Sequence, residues 1–189
     1  MISFCTGQSG QHAHTRRALD FYSTPAIAVE ALLQAEQFTP ATRVWEPAAG
    51  DGAITHVLRV HGFPVICSDI VERAFPLHFT GDFLTQSKAP EAVTTIVTNP
   101  PFRQAQRFAE HSISLVPDVF LLLRLAFLES VRRTDLLEHR GLCAVHVFRR
   151  RLPRMHRYGW DGRRSTSSIA FAWFHWRAGF GGPPILNRI

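Results

Sequence analysis

Arg43-Val44-Trp45-Glu46-Pro47-Ala48-Ala49-Gly50-Asp51-Gly52 is the stretch that decides the fold. Its first four residues include a β-branched and an aromatic side chain and read as a short strand. The following six, small and glycine-containing, read as a turn. Ala53 to His61 then carries helical spacing, and Gly62 stops it. Strand, turn and helix in succession form an α/β unit. Downstream the alternation continues. Pro64 to Ser68 reads as a second strand ending at Asp69, and Leu77 to Thr80 as a third. Thr94 to Thr98 is a fourth, β-branched and bounded by Asn99-Pro100-Pro101. A helix is expected from about Arg103 to Leu115, a buried strand over Val119 to Leu123, and a helix over Leu128 to His139. Cys143 to Phe148 and Ile169 to Trp176 read as two final strands. Upstream, Pro25 to Gln37 has an apolar face of helical spacing, with Thr24 as N-cap and Pro25 at the first helical position. This order predicts a mostly parallel α/β sheet with helices on both faces and ligands at the C-terminal ends of the strands.

Composition agrees with a packed chain. Of 189 residues, 46% are hydrophobic and 19% charged, which predicts one domain over residues 1–189 rather than disorder. Residues 1–19 read as a loose leader without signal-peptide character. The longest apolar run, Val119 to Leu123, ends at Arg124, so no membrane helix is expected. Cys5, Cys67 and Cys143 are widely spaced and odd in number, which predicts a reducing, cytoplasmic setting rather than a disulfide framework. His12 and His14 lack a nearby cysteine or carboxylate partner, and no metal site is expected. The charge is lopsided: residues 140–189 hold ten basic side chains and one acidic, Asp161. A polyanion contacted by that quarter is the expectation. Within it, residues 149–168 form a basic insertion. Arg149, Arg150, Arg151, Arg154, Arg157, Arg163 and Arg164 suit phosphates, and Tyr158 and Trp160 suit bases. A solvated surface hairpin is the plainer alternative.

Three segments fall at the predicted strand ends. In Glu46 to Gly52, small residues let the backbone approach a ligand. Asp69 can accept hydrogen bonds from ribose hydroxyls, a spacing that suits a nucleoside-containing cofactor; the loop lacks the G-x-G-x-x-G pattern of a dinucleotide cradle. In Asn99-Pro100-Pro101-Phe102 the prolines remove two backbone donors and stiffen the chain. What remains is rich in acceptors, the Asn99 side-chain oxygen and the Pro100 carbonyl, beside the flat ring of Phe102. A planar ligand bearing an NH2 group matches that set.

EPAAGDG, SDI, GDF and TNPPF, in this order and preceded by Phe21-Tyr22-Ser23-Thr24-Pro25, resemble the class I S-adenosylmethionine-dependent methyltransferases. The pattern is most similar to the amino-methyltransferases that act on the exocyclic amine of adenine in DNA, including small phage-type members. The likeness is strong over about residues 20–105. It implies a Rossmann-like, seven-stranded sheet with the last strand antiparallel. It also implies that Glu46, Ala48, Gly50 and Gly52 line the methionine end of S-adenosylmethionine. Asp69 would hold the ribose and Ile70 pack on the adenine ring, with Asp82 bonding that adenine's amine and Phe83 flanking it. Tyr22, Thr24 and Pro25 would contact the methionine carboxylate or wall the pocket. Asn99 and Pro100 would bind the target amine, Pro101 stiffen the turn, and Phe102 stack on the target base. The expected activity is methylation of adenine in DNA with low or short sequence specificity, since the length leaves little room for a separate recognition domain. Methylation of RNA adenine or guanine, of protein glutamine, and a non-catalytic nucleic-acid-binding module stay open as alternatives.

Overall fold

The computed structural model describes residues 22–73, 75–155 and 165–189. Strands β1 (Val44–Glu46), β2 (Val65–Asp69), β3 (Phe79–Thr80), β4 (Thr95–Thr98), β5 (Asp118–Arg124), β6 (Leu142–Val147), β7 (Phe171–Arg177) and β8 (Ile185–Arg188) join in one sheet. Their order is β3-β2-β1-β4-β5-β7-β6-β8. Strands β3, β2, β1, β4 and β5 run parallel, β7 is antiparallel between β5 and β6, and β8 is parallel to β6. Among the described residues the sheet therefore has eight strands, not the seven expected. The extra strand, Ile185-Leu186-Asn187-Arg188, is largely exposed at the edge. Its four residues after Gly-Gly-Pro-Pro gave no period long enough to read.

The sheet alternates as a doubly covered sheet must. Neighbouring residues along one strand point to opposite faces. Val44 of β1 with Phe120 and Leu122 of β5 pack in the layer that contains α1 (Ala26–Ala35) and α2 (Ala53–Val60). Trp45 with Val119, Leu121 and Leu123 pack in the layer that contains Phe108 and Ala109 of α3 (Ala105–Leu115). Each large apolar side chain so buried contributes about 1.5–3 kcal/mol. Trp173 and Trp176 are core residues, and each indole N–H has a carbonyl: Trp173 donates to Ala28 (2.7 Å) and Trp176 to Leu136 (3.0 Å). Cys67 and Cys143 are also buried on their strands.

Two local expectations fail. Thr24 does not cap α1; Pro25 takes the N-cap position, and the Thr24 hydroxyl is engaged by Asn99 instead. The helix expected over Leu128 to His139 is absent. In its place stand 3-10 turns at Leu125–Leu128 and Val131–Arg133 and one π-turn at Asp135–His139. The Ser130 hydroxyl accepts from Arg132 N, and the Thr134 hydroxyl donates to the Val131 carbonyl. Such short side-chain bonds compete with a continuous helix.

Candidate active site

The C-terminal ends of β1, β2 and β4 open into one cleft of about 320 Å³. Of the residues singled out from sequence, the cleft is lined by Tyr22, Thr24, Glu46, Ala48, Asp69, Ile70, Asp82, Phe83 and Asn99 to Phe102. Pro25, Gly50 and Gly52 do not line it; Gly50 and Gly52 instead set the backbone of the loop whose neighbours do. Gly50 N donates to Asp69 Oδ2 at 2.8 Å, locking the loop after β1 to the end of β2. Gly52 caps α2 with φ at 76°. A Cβ there would lie 2.4 Å from the Phe75 ring, so both conformation and space require glycine.

Two carboxylates shape the field of this wall. Asp69 is buried and its Oδ2 also meets Arg73 at 3.2 Å, while its Oδ1 makes a long contact of 3.4 Å with Val71 N. Glu46 is fully buried, and its Oε2 accepts from the backbone N–H and hydroxyl of Thr55. Burial pushes its carboxyl up to about 8; the nearby Asp51 and Asp69 add to the rise, against the Thr55 bonds. Asp51, whose Oδ1 accepts from Ala53 N at 3.3 Å, serves the turn and also lines the cleft. Next to Asp69, Ile70 lines the cleft with an apolar side chain that is 52% exposed. Asp82 Oδ1 accepts from Leu84 N. Phe83 is mostly core, packed edge-on to Trp45 with centroids 5.2 Å apart.

The NPPF turn follows β4 directly. Asn99 Nδ2 donates to Thr24 Oγ1 at 3.0 Å and approaches Met155 Sδ at 3.7 Å. That pairing leaves Asn99 Oδ1 buried with no hydrogen-bond partner among the described residues. Phe102 carries Tyr22 stacked on it with centroids 5.6 Å apart, and the Arg124 guanidinium lies 4.6 Å from its ring centre. Arg124, at the end of β5, and Met155 were missed from sequence; both reach the turn only through tertiary packing. Arg73, Arg103 and Gln104 on the cleft wall carried no signal either.

Met155 ends a segment that is tied back on itself. Arg154 N donates to Ser165 O at 2.7 Å, Ser167 N to Leu152 O at 2.9 Å, and Pro153 bridges Thr166. The base of the arginine-rich insertion thus stands against Asn99. Arg149, Arg150, Arg151 and Arg154 are exposed. Arg157, Tyr158, Trp160, Arg163 and Arg164 lie outside the described residues, as do the leader and His12 and His14. Away from the cleft, Glu36, His146 and His175 place three metal-type donor atoms within 4.8 Å of one another, and these donors already bond to each other. No helix among the described residues is long and apolar enough to cross a membrane.

No protein-family model matches the sequence, and no curated protein matches it. Solved structures do resemble the fold. A presumed RNA methyltransferase, PH1948 from Pyrococcus horikoshii, superposes with a TM-score of 0.60 at 18% identity, over 84% of this chain and 88% of that one. A modification subunit of a presumed type I restriction enzyme from Vibrio vulnificus gives 0.56 at 15% identity, over 89% of this chain and 47% of that one. The 23S rRNA methyltransferase ErmE gives 0.54 at 13% identity, over 85% of this chain and 71% of that one. The chain therefore has the mixed α/β, Rossmann-like fold of methyltransferases.

Proposed function

We propose that this chain transfers a methyl group from S-adenosylmethionine to the exocyclic amine of adenine in DNA, with low or short sequence specificity. The observation that carries the reading is Asn99 Oδ1, a buried acceptor at the cleft without a donor among the described residues. Leaving such a group unpaired costs about 1–3 kcal/mol, so its persistence calls for a ligand donor. The neighbouring prolines contribute a carbonyl and no N–H, which makes the corner receptive to an NH2 group in particular.

The wall fits the cofactor. Ala48, Ala49 and Ala53 keep it shallow, Asp69 Oδ1 is available to a ribose hydroxyl, and Ile70 offers a flat apolar rest. Bound there, S-adenosylmethionine supplies an electrophilic methyl on a sulfonium. This chain's residues do the rest. The adenine amine is a weak nucleophile because its lone pair is delocalised into the ring. Asn99 Oδ1 and the Pro100 carbonyl accept its two hydrogens, favour a pyramidal nitrogen and stabilise the positive charge that develops there. Phe102 orients the base. No strong base is needed, since the alkylated nitrogen is acidic and sheds its proton to water. In a duplex the base must first leave the stack.

The arginine-rich segment against Asn99 supports a polyanionic substrate, and the modification subunit's likeness favours DNA. A second reading, RNA adenine or guanine as target, rests on the RNA-acting names of PH1948 and ErmE. Mass spectrometry of nucleosides after incubation with cofactor and mixed DNA and RNA separates them. N6-methyladenine in DNA is expected across unrelated duplexes. Methyl groups in RNA alone, or none in either polymer, overturn the reading.

A further inference from the structure

The segment between β5 and β6 carries the most exposed large apolar side chain among the described residues, Val131 at 91%. A single exposed valine on a loose loop would mean nothing. This one is held out on a braced tip. Ser130 Oγ accepts from Arg132 N at 3.2 Å, Arg133 N donates to Ser130 O at 3.0 Å, and the Thr134 hydroxyl donates to Val131 O at 2.9 Å. Arg133 Nη1 donates to Phe127 O at 2.7 Å and Glu129 O at 3.3 Å, while its guanidinium lies 4.4 Å from the centre of the buried Phe127 ring. The tip therefore rests directly on the core.

Its place is beside the cleft. Gln106 Nε2 donates to Arg132 O at 3.5 Å, and Gln106 lies two residues past Gln104, which lines the cleft. The same segment begins just after Arg124, whose guanidinium lies against Phe102. Arg132 is exposed beside Val131, and two further exposed arginines, Arg103 on the cleft wall and Arg124 against Phe102, lie along the way to the cleft. The acidic residues of the segment include Glu129 and Asp135, the latter paired with Arg140 at 3.5 Å. A rigid apolar point among arginines at the edge of a base-accepting cleft has the chemistry of a side chain that enters a base stack while cations hold the flanking phosphates.

We propose that Val131 is a wedge for double-stranded DNA, entering the stack beside the target adenine and holding the vacancy left when that base turns into the cleft. The inference rests on the reading of the cleft as an adenine methyltransferase site and extends it to how a paired target is reached.

The test compares V131S with wild type on one target adenine in three contexts: a duplex, the same strand alone, and a duplex mispaired at the target. Val131 is exposed, so V131S should fold with an unchanged melting temperature. For V131S, kcat/KM on the duplex is expected to fall about tenfold, with less than a twofold fall on the single strand and recovery on the mispaired duplex. V131F, which keeps an apolar wedge, should retain duplex activity. Equal losses on duplex and single strand, or full duplex activity in V131S, would overturn the wedge while leaving the methyltransferase reading intact. A wild-type protein that methylates neither form overturns both.

Discussion

Two polar clusters inside this molecule are built to opposite rules. Beneath the C-terminal end of α1, Glu36 Oε1 accepts from His146 Nε2 at 2.8 Å and His175 Nδ1 at 3.1 Å. His175 Nε2 bonds Asp118 Oδ1 at 3.1 Å, and Arg177 Nε donates to the same oxygen at 3.0 Å. Asn187 reaches the remaining nitrogen of His146 at 3.4 Å. Burial alone would raise the Glu36 carboxyl, but the bonds from the two histidines hold it down at about 2. Burial would likewise lower His175, but its bonds to Asp118, Cys143 and Glu36 raise it to about 10. In the cleft the pattern reverses. Asn99 Oδ1 has no donor among the described residues, and burial, with Asp51 and Asp69 adding to it, pushes Glu46 up to about 8. The closed cluster uses its interactions to hold α1 to the sheet, whereas the open one leaves a buried acceptor unpaired among the described residues, the capacity that the proposed function assigns to a ligand.

Asn99→Ala tests the contrast most severely. Methyl transfer should fall by about 100-fold or more, the loss typical of one electrostatic contact in a transition state, with the melting temperature little changed. Full turnover in a folded N99A protein would erase the distinction. In the closed cluster the effect should appear in stability instead. Glu36→Ala strands two ring nitrogens and is expected to cost about 3 kcal/mol in denaturant unfolding, with turnover preserved at temperatures where the variant stays folded. Gly52→Ala lies between the two kinds. Forcing a Cβ at φ 76° against Phe75 should cost about 2 kcal/mol and weaken cofactor binding measured by calorimetry.

The last tests follow melting against pH. His175, raised from 6.5 to about 10, contributes stability that is full below pH 6.5 and lost as pH climbs towards 10. Glu36, lowered from 4.5 to about 2, contributes stability lost as pH falls from 4.5 towards 2. Glu46 acts with the opposite sign to Glu36. It keeps a proton that the unfolded chain has released, so it lowers stability as pH rises from 4.5 to 8. Glu46→Gln should remove that part of the slope, and an unaltered slope in E46Q would show that Glu46 is ionised in the folded protein.

Legibility in the sequence followed the range of the interactions. The loop after β1, Asp69 and the NPPF turn were readable because the chemistry and the backbone geometry sit in consecutive residues. Tyr22 lines the cleft wall, one of its two expected places, but that its ring stacks on Phe102 was not legible. Arg124 and Met155 were invisible, since they reach the turn from 22 and 56 residues away in sequence. The segment after β5 has apolar spacing that suits a helix, yet Ser130 and Thr134 bond locally and break it. Its turns hold Val131 outward, where a helix would have offered no such point. The edge strand β8 was too short and too exposed for a periodic signal.

The placement of β7 between β5 and β6 has a consequence for biosynthesis. As the ribosome extends the chain, β6 emerges before the strand that must separate it from β5, so β5 keeps one edge open beside β4 and β6 has no partner until Phe171 to Arg177 has been made. The Trp173 indole that grips Ala28 arrives in the same strand, 145 residues after its acceptor. The nascent polypeptide thus carries an open sheet edge, and a first helix held only by its early neighbours, until late in translation. Closing these long-range contacts should be the slow event of maturation.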